Sequence, residues 1–257
     1  MNLGAQLAEG KTKIVYAHPD DPALAIIVHK DGISAGDGAR RHTVPGKGAL
    51  SGRTTANVFA LLNRAGIATH FVAAPEPAMM IVRRCAMIPL EVVNRRVATG
   101  SYVRRNPAVL EGTRFDPPLL EFFLKDDARH DPQVTPEDIV AQGIASAAEV
   151  ERMASESRRV FLLVEWAWAA QDVTLCDMKI EFGRDMAGAL IVADVIDNDS
   201  WRIWPGGAKE RMLDKQVYRN MPVVTDEGLE QVRRLYAEVA SRTDNWRELS
   251  VPAHERA

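Results

Sequence analysis

The chain has 257 residues, of which 46% are hydrophobic and 26% charged, with a formal net charge of −3. This balance suits a globular protein long enough for one or two lobes around a sizeable core, and it carries no footprint for nucleic acid. The longest apolar helical stretch, residues 160–170, contains Glu165 and is too short to span a bilayer, so no membrane partner is expected. Residues 1–10 lack the basic start and apolar run of a secretory signal, and Cys85 and Cys176 read as two buried thiols of a cytoplasmic protein. The six histidines form no HxxxH or HExxH pattern, so a zinc site is not expected.

In chain order, Glu9-Gly10-Lys11-Thr12-Lys13 comes first. A glycine beside two lysines lets backbone and ammonium groups approach a phosphate, although a surface turn explains it equally well. Residues 13–17 and 23–29 predict a hairpin around the turn chemistry of His18-Pro19-Asp20-Asp21-Pro22. Residues 31–48 read as a long loop, and loops of that length in a compact domain are usually functional. Within it, three glycines alternate with Ser34, Asp37 and Arg40, which suits either a lid over a small polar ligand or a solvent-exposed connection. Residues 51–65 predict a helix stopped by Gly66, residues 67–72 and 79–82 predict strands, and 85–93 is a further apolar run. Arg95 and the Thr99-Gly100-Ser101 turn offer a fork and a backbone cradle for an anion, or a surface salt bridge to Glu91. Residues 125–132 form a dense polar loop, either a solvated corner or a support for a substrate amine or carboxylate.

The middle of the chain is helical. Thr135-Pro136-Glu137-Asp138 combines a cap, a proline at the first helical position and acids in the first turn, and Ser146-Ala147-Ala148-Glu149 is a capping box. Val150, Met153, Ser157, Val160, Phe161, Val164 and Trp168 then recur at three- and four-residue spacing, as a packed helix face requires. Residues 175–183 alternate apolar and charged, placing Asp177, Lys179 and Glu181 on one face of a half-buried strand. Residues 189–199 read as its hairpin partner, ending in acids, with Glu181 and Asp194 almost opposite. Two facing carboxylates repel unless a cation lies between them, and Mg²⁺ with bound phosphate answers that; a surface ladder with Lys179 as counterion is the plainer alternative. Leu229, Val232, Tyr236 and Val239 mark a C-terminal amphipathic helix. Strands early, helices in the middle and a late hairpin predict an α+β unit of two lobes.

Taken together, these motifs resemble the SAICAR synthetase family of purine biosynthesis, from Glu9-Gly10-Lys11-Thr12-Lys13 to Asp214-Lys215-Gln216-Val217-Tyr218-Arg219. The stretches 89–101 and 177–183 carry the likeness most specifically, and 195–205 looks like the version in the bifunctional animal enzyme. Asn94 departs from the family pattern, which has a small apolar residue there. The resemblance implies an ATP- and Mg²⁺-dependent ligase joining L-aspartate to the carboxylate of carboxyaminoimidazole ribonucleotide through an acyl phosphate. It implies a two-lobed α+β fold, with a β-rich ATP lobe over residues 1–86 and a larger substrate and metal lobe over 87–257. By the same resemblance, Asp177 and Lys179 face the reacting groups, and Lys11, Lys13, Met87 and Glu181 bind ATP. Glu181 and Asp194 hold Mg²⁺. Arg95, Ser101, Arg202, Asp199 and Arg219, with Ser34, Asp37 and Arg40 from the glycine-rich segment, meet the substrates. A small-molecule kinase on the same nucleotide lobe, a ligase using another amine, and an inactive relative that only binds are the competing readings. The pattern leaves a homo-oligomer open.

Overall fold

The computed structural model describes residues 2–36 and 38–251. Strands β1 (Gln6–Glu9), β2 (Lys13–Ala17) and β3 (Leu24–His29) lead to the small hairpin β4 (Gly32–Ala35) and β5 (Arg40–Thr43). Helix α1 (Lys47–Arg64), β6 (Phe71–Glu76) and β7 (Met79–Arg83) follow. The first sheet runs β1-β2-β3-β7-β6. Next come β8 (Cys85–Met87), β9 (Leu90–Val97), α2 (Ser101–Arg105), β10 (Arg114–Leu124), β11 (Gln133–Val134), α3 (Pro136–Ala141) and α4 (Ala147–Ala169). The chain continues through β12 (Val173–Asp185), β13 (Leu190–Ala193), β14 (Trp201–Pro205), α5 (Gln216–Asn220) and α6 (Asp226–Asp244). The second sheet runs β11-β10-β9-β12-β13, with β14 and β8 also pairing β12.

Strand β12 organises the second sheet because it is long enough to pair with several partners in turn. Its first half meets β14, its middle β9, and its end β8 and β13, all antiparallel. The alternation read from the sequence shows directly in its packing. Met178, Ile180 and Phe182 enter the main core with Val160, Phe161, Val164 and Trp168 of α4. Val58, Leu61 and Leu62 of α1 join the same cluster. The predicted Thr135 cap and Ser146 capping box both form, and on α3 Asp138 completes a capping box with Thr135 as well.

Four expectations shift. The segment read as a long loop contains β4 and β5, because Ile33 and Val44 are apolar and bury against Tyr218, Val232 and Tyr236. Helix α1 starts at Lys47 rather than 51, since the Asp31 carboxylate accepts the backbone N–H groups of Gly46 and Gly48 and supplies a cap from outside the local sequence. The apolar run at 85–93 is two strands broken at Ile88-Pro89, and Cys85 is half-buried rather than buried. The strand expected at 67–72 runs as β6 (Phe71–Glu76), with Thr69 making a parallel bridge to Val192.

Candidate active site

The site is assembled on β12 and the strands beside it. Asp177 pairs in register with Arg95 of β9, and Lys179 with Val93. The pleat therefore places acid, base and acid on one face opposite the polar residues of β9. Each buried carboxylate on this face is met by two cations. Glu181 accepts from Lys179 and from Lys125, both at 2.6 Å. Glu121 on β10 accepts from Arg95 at 2.5 Å and from Arg105 at 2.6 Å. Asp177 accepts from Arg95 at 2.7 Å and also from Arg202. Lys179 in turn reaches Glu91 at 3.3 Å.

Burial and pairing compete at each of these groups. Burial alone would raise the Glu181 carboxyl, but Lys179 and then Lys125 outweigh it and hold it at about 2. Burial would likewise lower the Lys179 ammonium, but Glu181 and Glu91 outweigh it and keep its pKa above the ordinary lysine value. The face is charged by design of its partners and not by contact with water.

Two cavities open here. The first, of about 670 Å³, is lined by Lys11, Lys13, Ser34, Lys179, Glu181, Asp194, Asp199 and Arg219 among the predicted residues. The second, of about 640 Å³, is lined by Arg40, Ser101, Arg202 and Arg219. The two share Ala35, Gly36 and Arg219, so they adjoin. In the second cavity the buried Nε of Arg202 has no hydrogen-bond partner among the described residues, an orphan donor suited to an anion. Gly100 makes room for it: a Cβ at this position would lie 2.4 Å from the Arg202 guanidinium, and its φ of 59° is one that side chains resist.

Some expected residues are placed otherwise. Arg95 lines neither cavity; it is 3% exposed, and its guanidinium is engaged by Glu121 and Asp177 rather than open to a ligand. Asp177 also lies behind the surface, gripped by Arg95 and Arg202. Arg40 borders the second cavity, but its guanidinium donates to the carbonyls of Tyr218, Arg219 and Met221, tying the β4–β5 hairpin to α5. Met87 borders neither cavity and is an exposed residue at the end of β8. Asp37 lies outside the described residues. Glu181 is registered opposite Ala193, not Asp194. Asp194 follows one place later with a φ of 67°, and this left-handed turn brings its carboxylate to Lys13 and the same cavity as Glu181.

The polar loop at 125–132, read either as a solvated corner or as a support for a substrate, brings Lys125 and Asp131 to the first cavity, while the sequence reading assigned no site role to Thr12, Glu91 and Lys215 there or to Arg104 and Gln216 in the second. The Asp214-Lys215 pair was the available signal for one of them. As to a metal, no group of three or more histidine, cysteine or acidic side chains among the described residues is arranged to hold one. Two carboxylates facing a lysine-rich cavity fit the other mode, in which Mg²⁺ is held by one or two carboxylates together with substrate phosphates.

The SAICAR synthetase family model matches residues 6–235. A phosphoribosylaminoimidazole-succinocarboxamide synthase from Roseiflexus sp. (strain RS-1) is 86% identical over 96% of this chain and 99% of its own. The bifunctional phosphoribosylaminoimidazole carboxylase/succinocarboxamide synthetase of Drosophila melanogaster is 46% identical over 93% of this chain and 57% of its own, so the bacterial relative is the nearer of the two. A solved SAICAR synthetase in complex with ADP superposes with a TM-score of 0.83 at 32% identity, covering 95% of this chain and 98% of the other.

Proposed function

The chain belongs to the SAICAR synthetase family, and we propose that its two adjoining cavities perform the ATP-dependent joining of L-aspartate to the carboxylate of carboxyaminoimidazole ribonucleotide, giving SAICAR, ADP and phosphate. The observation that carries this reading is the shared wall. A cavity of lysines and paired carboxylates meets a cavity of arginines at Ala35, Gly36 and Arg219. A nucleotide polyphosphate suits the first and a phosphorylated ribonucleotide the second, which brings the reacting groups to the boundary.

A carboxylate is a poor acyl donor, so it must first become an acyl phosphate that the aspartate amine attacks. In this reading Lys11 and Lys13 hold the ATP phosphates, while Glu181 and Asp194 hold Mg²⁺. The metal would neutralise charge developing on the transferred phosphoryl group. Lys179, kept protonated by Glu181 and Glu91, presents positive charge to the reacting carboxylate. Ser101, Arg104, Arg202 and Arg219 take the ribonucleotide phosphate, and Asp177 aims Arg202 at it. Arg95 acts through Asp177. Ser34, Asp199 and Lys215 meet aspartate. Residues 1–86 form the nucleotide lobe and 87–257 the substrate lobe, with adenine at the junction beside Met87. No helix among the described residues is long and apolar enough to cross a membrane.

The test is phosphate release measured with ATP, Mg²⁺, the ribonucleotide and a panel of amino acids. Release that requires both the ribonucleotide and aspartate supports the ligase. Phosphate retained on a hydroxyl product would identify a kinase, and release driven by another amine would identify a sister ligase.

A further inference from the structure

We propose that Lys47 is a positioning residue for the ligation: its ammonium, sealed behind the first cavity, fixes the Asp199 carboxylate and through it the Lys215 ammonium that faces the substrates. Lys47 begins α1, is 1% exposed, and its Nζ has no hydrogen-bond partner among the described residues. It lies over the Tyr236 ring, 4.9 Å from the centroid. The Tyr236 hydroxyl donates to one oxygen of Asp199, and the other accepts from Lys215 at 2.7 Å. Asp199 and Lys215 both line the first cavity, whereas Lys47 and Tyr236 do not. A chain of contacts thus runs from α1 through α6 to the cavity wall.

The depth of Lys47 is built into the helix. A Cβ on Gly48 would lie 2.7 Å from the His29 carbonyl oxygen, and one on Gly52 would lie 2.4 Å from that of Pro77. Two glycines four residues apart therefore let the first turns of α1 lie directly on the backbone of the first sheet. A lysine driven this deep without a hydrogen bond is unfavourable unless opposite charge compensates it. The compensating charge comes from the 197–199 turn. Burial raises the Asp199 carboxyl, but Lys47 and Lys215 outweigh it and its pKa falls below the ordinary value. Asp197, buried beside it, is raised by that burial and by Asp199, while Lys47 acts on it in the opposite direction. The groups around Asp199 are Lys47 from α1, Lys215 ahead of α5, Tyr236 from α6 and Asp197 on its own turn. His29 from β3 faces Lys47, and Arg219 from α5 acts on Tyr236.

The inference rests on the ligase reading, and the experiment separates the two. Lys47→Met keeps an unbranched side chain one atom shorter and removes its charge. The Asp199 carboxyl, followed by ¹³C NMR of aspartate-labelled protein and assigned with Asp199→Asn, should then take up its proton at least about one pH unit higher than in the unaltered protein. The kcat/KM for aspartate should fall about tenfold or more, increasingly so at lower pH, and Lys47→Arg should restore part of both. If Lys47→Met does not fold, Lys47→Gln, which removes the charge but keeps a polar end, should move the titration in the same direction. An Asp199 titration unmoved in the folded variant overturns the role of Lys47, whatever the assay gives. Absence of aspartate-dependent phosphate release in the unaltered protein overturns the ligase reading instead.

Discussion

At the scale of single residues, the chemistry turns on carboxylates held ionised inside the protein. Glu181 is 2% exposed and stays charged because Lys179 and Lys125 flank it. Glu181→Gln or Asp194→Asn should leave the far-UV circular dichroism unchanged and lower turnover on the order of 10²-fold, with partial recovery at raised Mg²⁺. Near-normal turnover of both variants at low Mg²⁺ would remove them from the metal site. Arg95 makes a contrasting prediction. Its guanidinium bridges Glu121 and Asp177 in the interior, so Arg95→Met leaves two buried carboxylates short of a cation. Breaking such a pair costs about 3–5 kcal/mol, which urea unfolding without any ligand should reveal. A fully stable variant that had lost only ribonucleotide affinity would instead make Arg95 a direct ligand contact.

At the scale of elements, one side chain can serve a helix and a sheet together. Glu149 closes the capping box of α4 with Ser146 and also meets Arg184 of β12 at 2.6 Å. Glutamine at this position still completes a capping box, so Glu149→Gln isolates the ion pair. Arg184, and then the Ser146 backbone N–H, hold the Glu149 carboxyl at about 2 against an ordinary 4.5. A depressed folded pKa contributes stability that is complete above the ordinary value and disappears as pH falls through the folded one. The melting temperature of Glu149→Gln should therefore lie below that of the unaltered protein at neutral pH, by the ~0.5 kcal/mol typical of an ion pair open to solvent. The gap should close between about pH 4.5 and 2. A gap that persisted unchanged to the acid end would assign the loss to the cap and not to the charge.

At the scale of the whole molecule, the C-terminal segment ties helices and sheets into one core. Trp246, fully buried just beyond α6, meets the Trp168 ring of α4 at 4.9 Å, and its carbonyl accepts from Arg64 at the end of α1. Trp168 in turn meets Trp201 of β14 at 5.4 Å. Asn57 on α1 adds hydrogen bonds to Thr243 and Asp244 of α6. Trp246→Ala should lower stability by about 3–5 kcal/mol through the cavity it leaves. Circular dichroism and tryptophan fluorescence should report the same displaced midpoint. A fluorescence change that ran ahead of the loss of secondary structure would show that the C-terminal segment detaches by itself.

The sequence by itself determined the local and periodic features. Alternation along β12 put Asp177, Lys179 and Glu181 on one face, the Thr135 cap and the Ser146 capping box began α3 and α4, and the motifs at 89–101 and 177–183 pointed to the family. These are legible because a strand repeats every two residues and a cap spans four. What the tertiary structure decided is who meets whom across distance. Arg95 finds Glu121 and Asp177, 26 and 82 residues away, so a side chain that looks free for a ligand is engaged inside. Asp194 reaches the cavity through one residue of left-handed backbone, which alternation does not encode. Lys47 reads as an ordinary lysine of the 31–48 loop until α1, α6 and the 197–199 turn enclose it. Charge in a folded protein acquires its role from burial and from partners brought by packing, and neither is a property of local spacing.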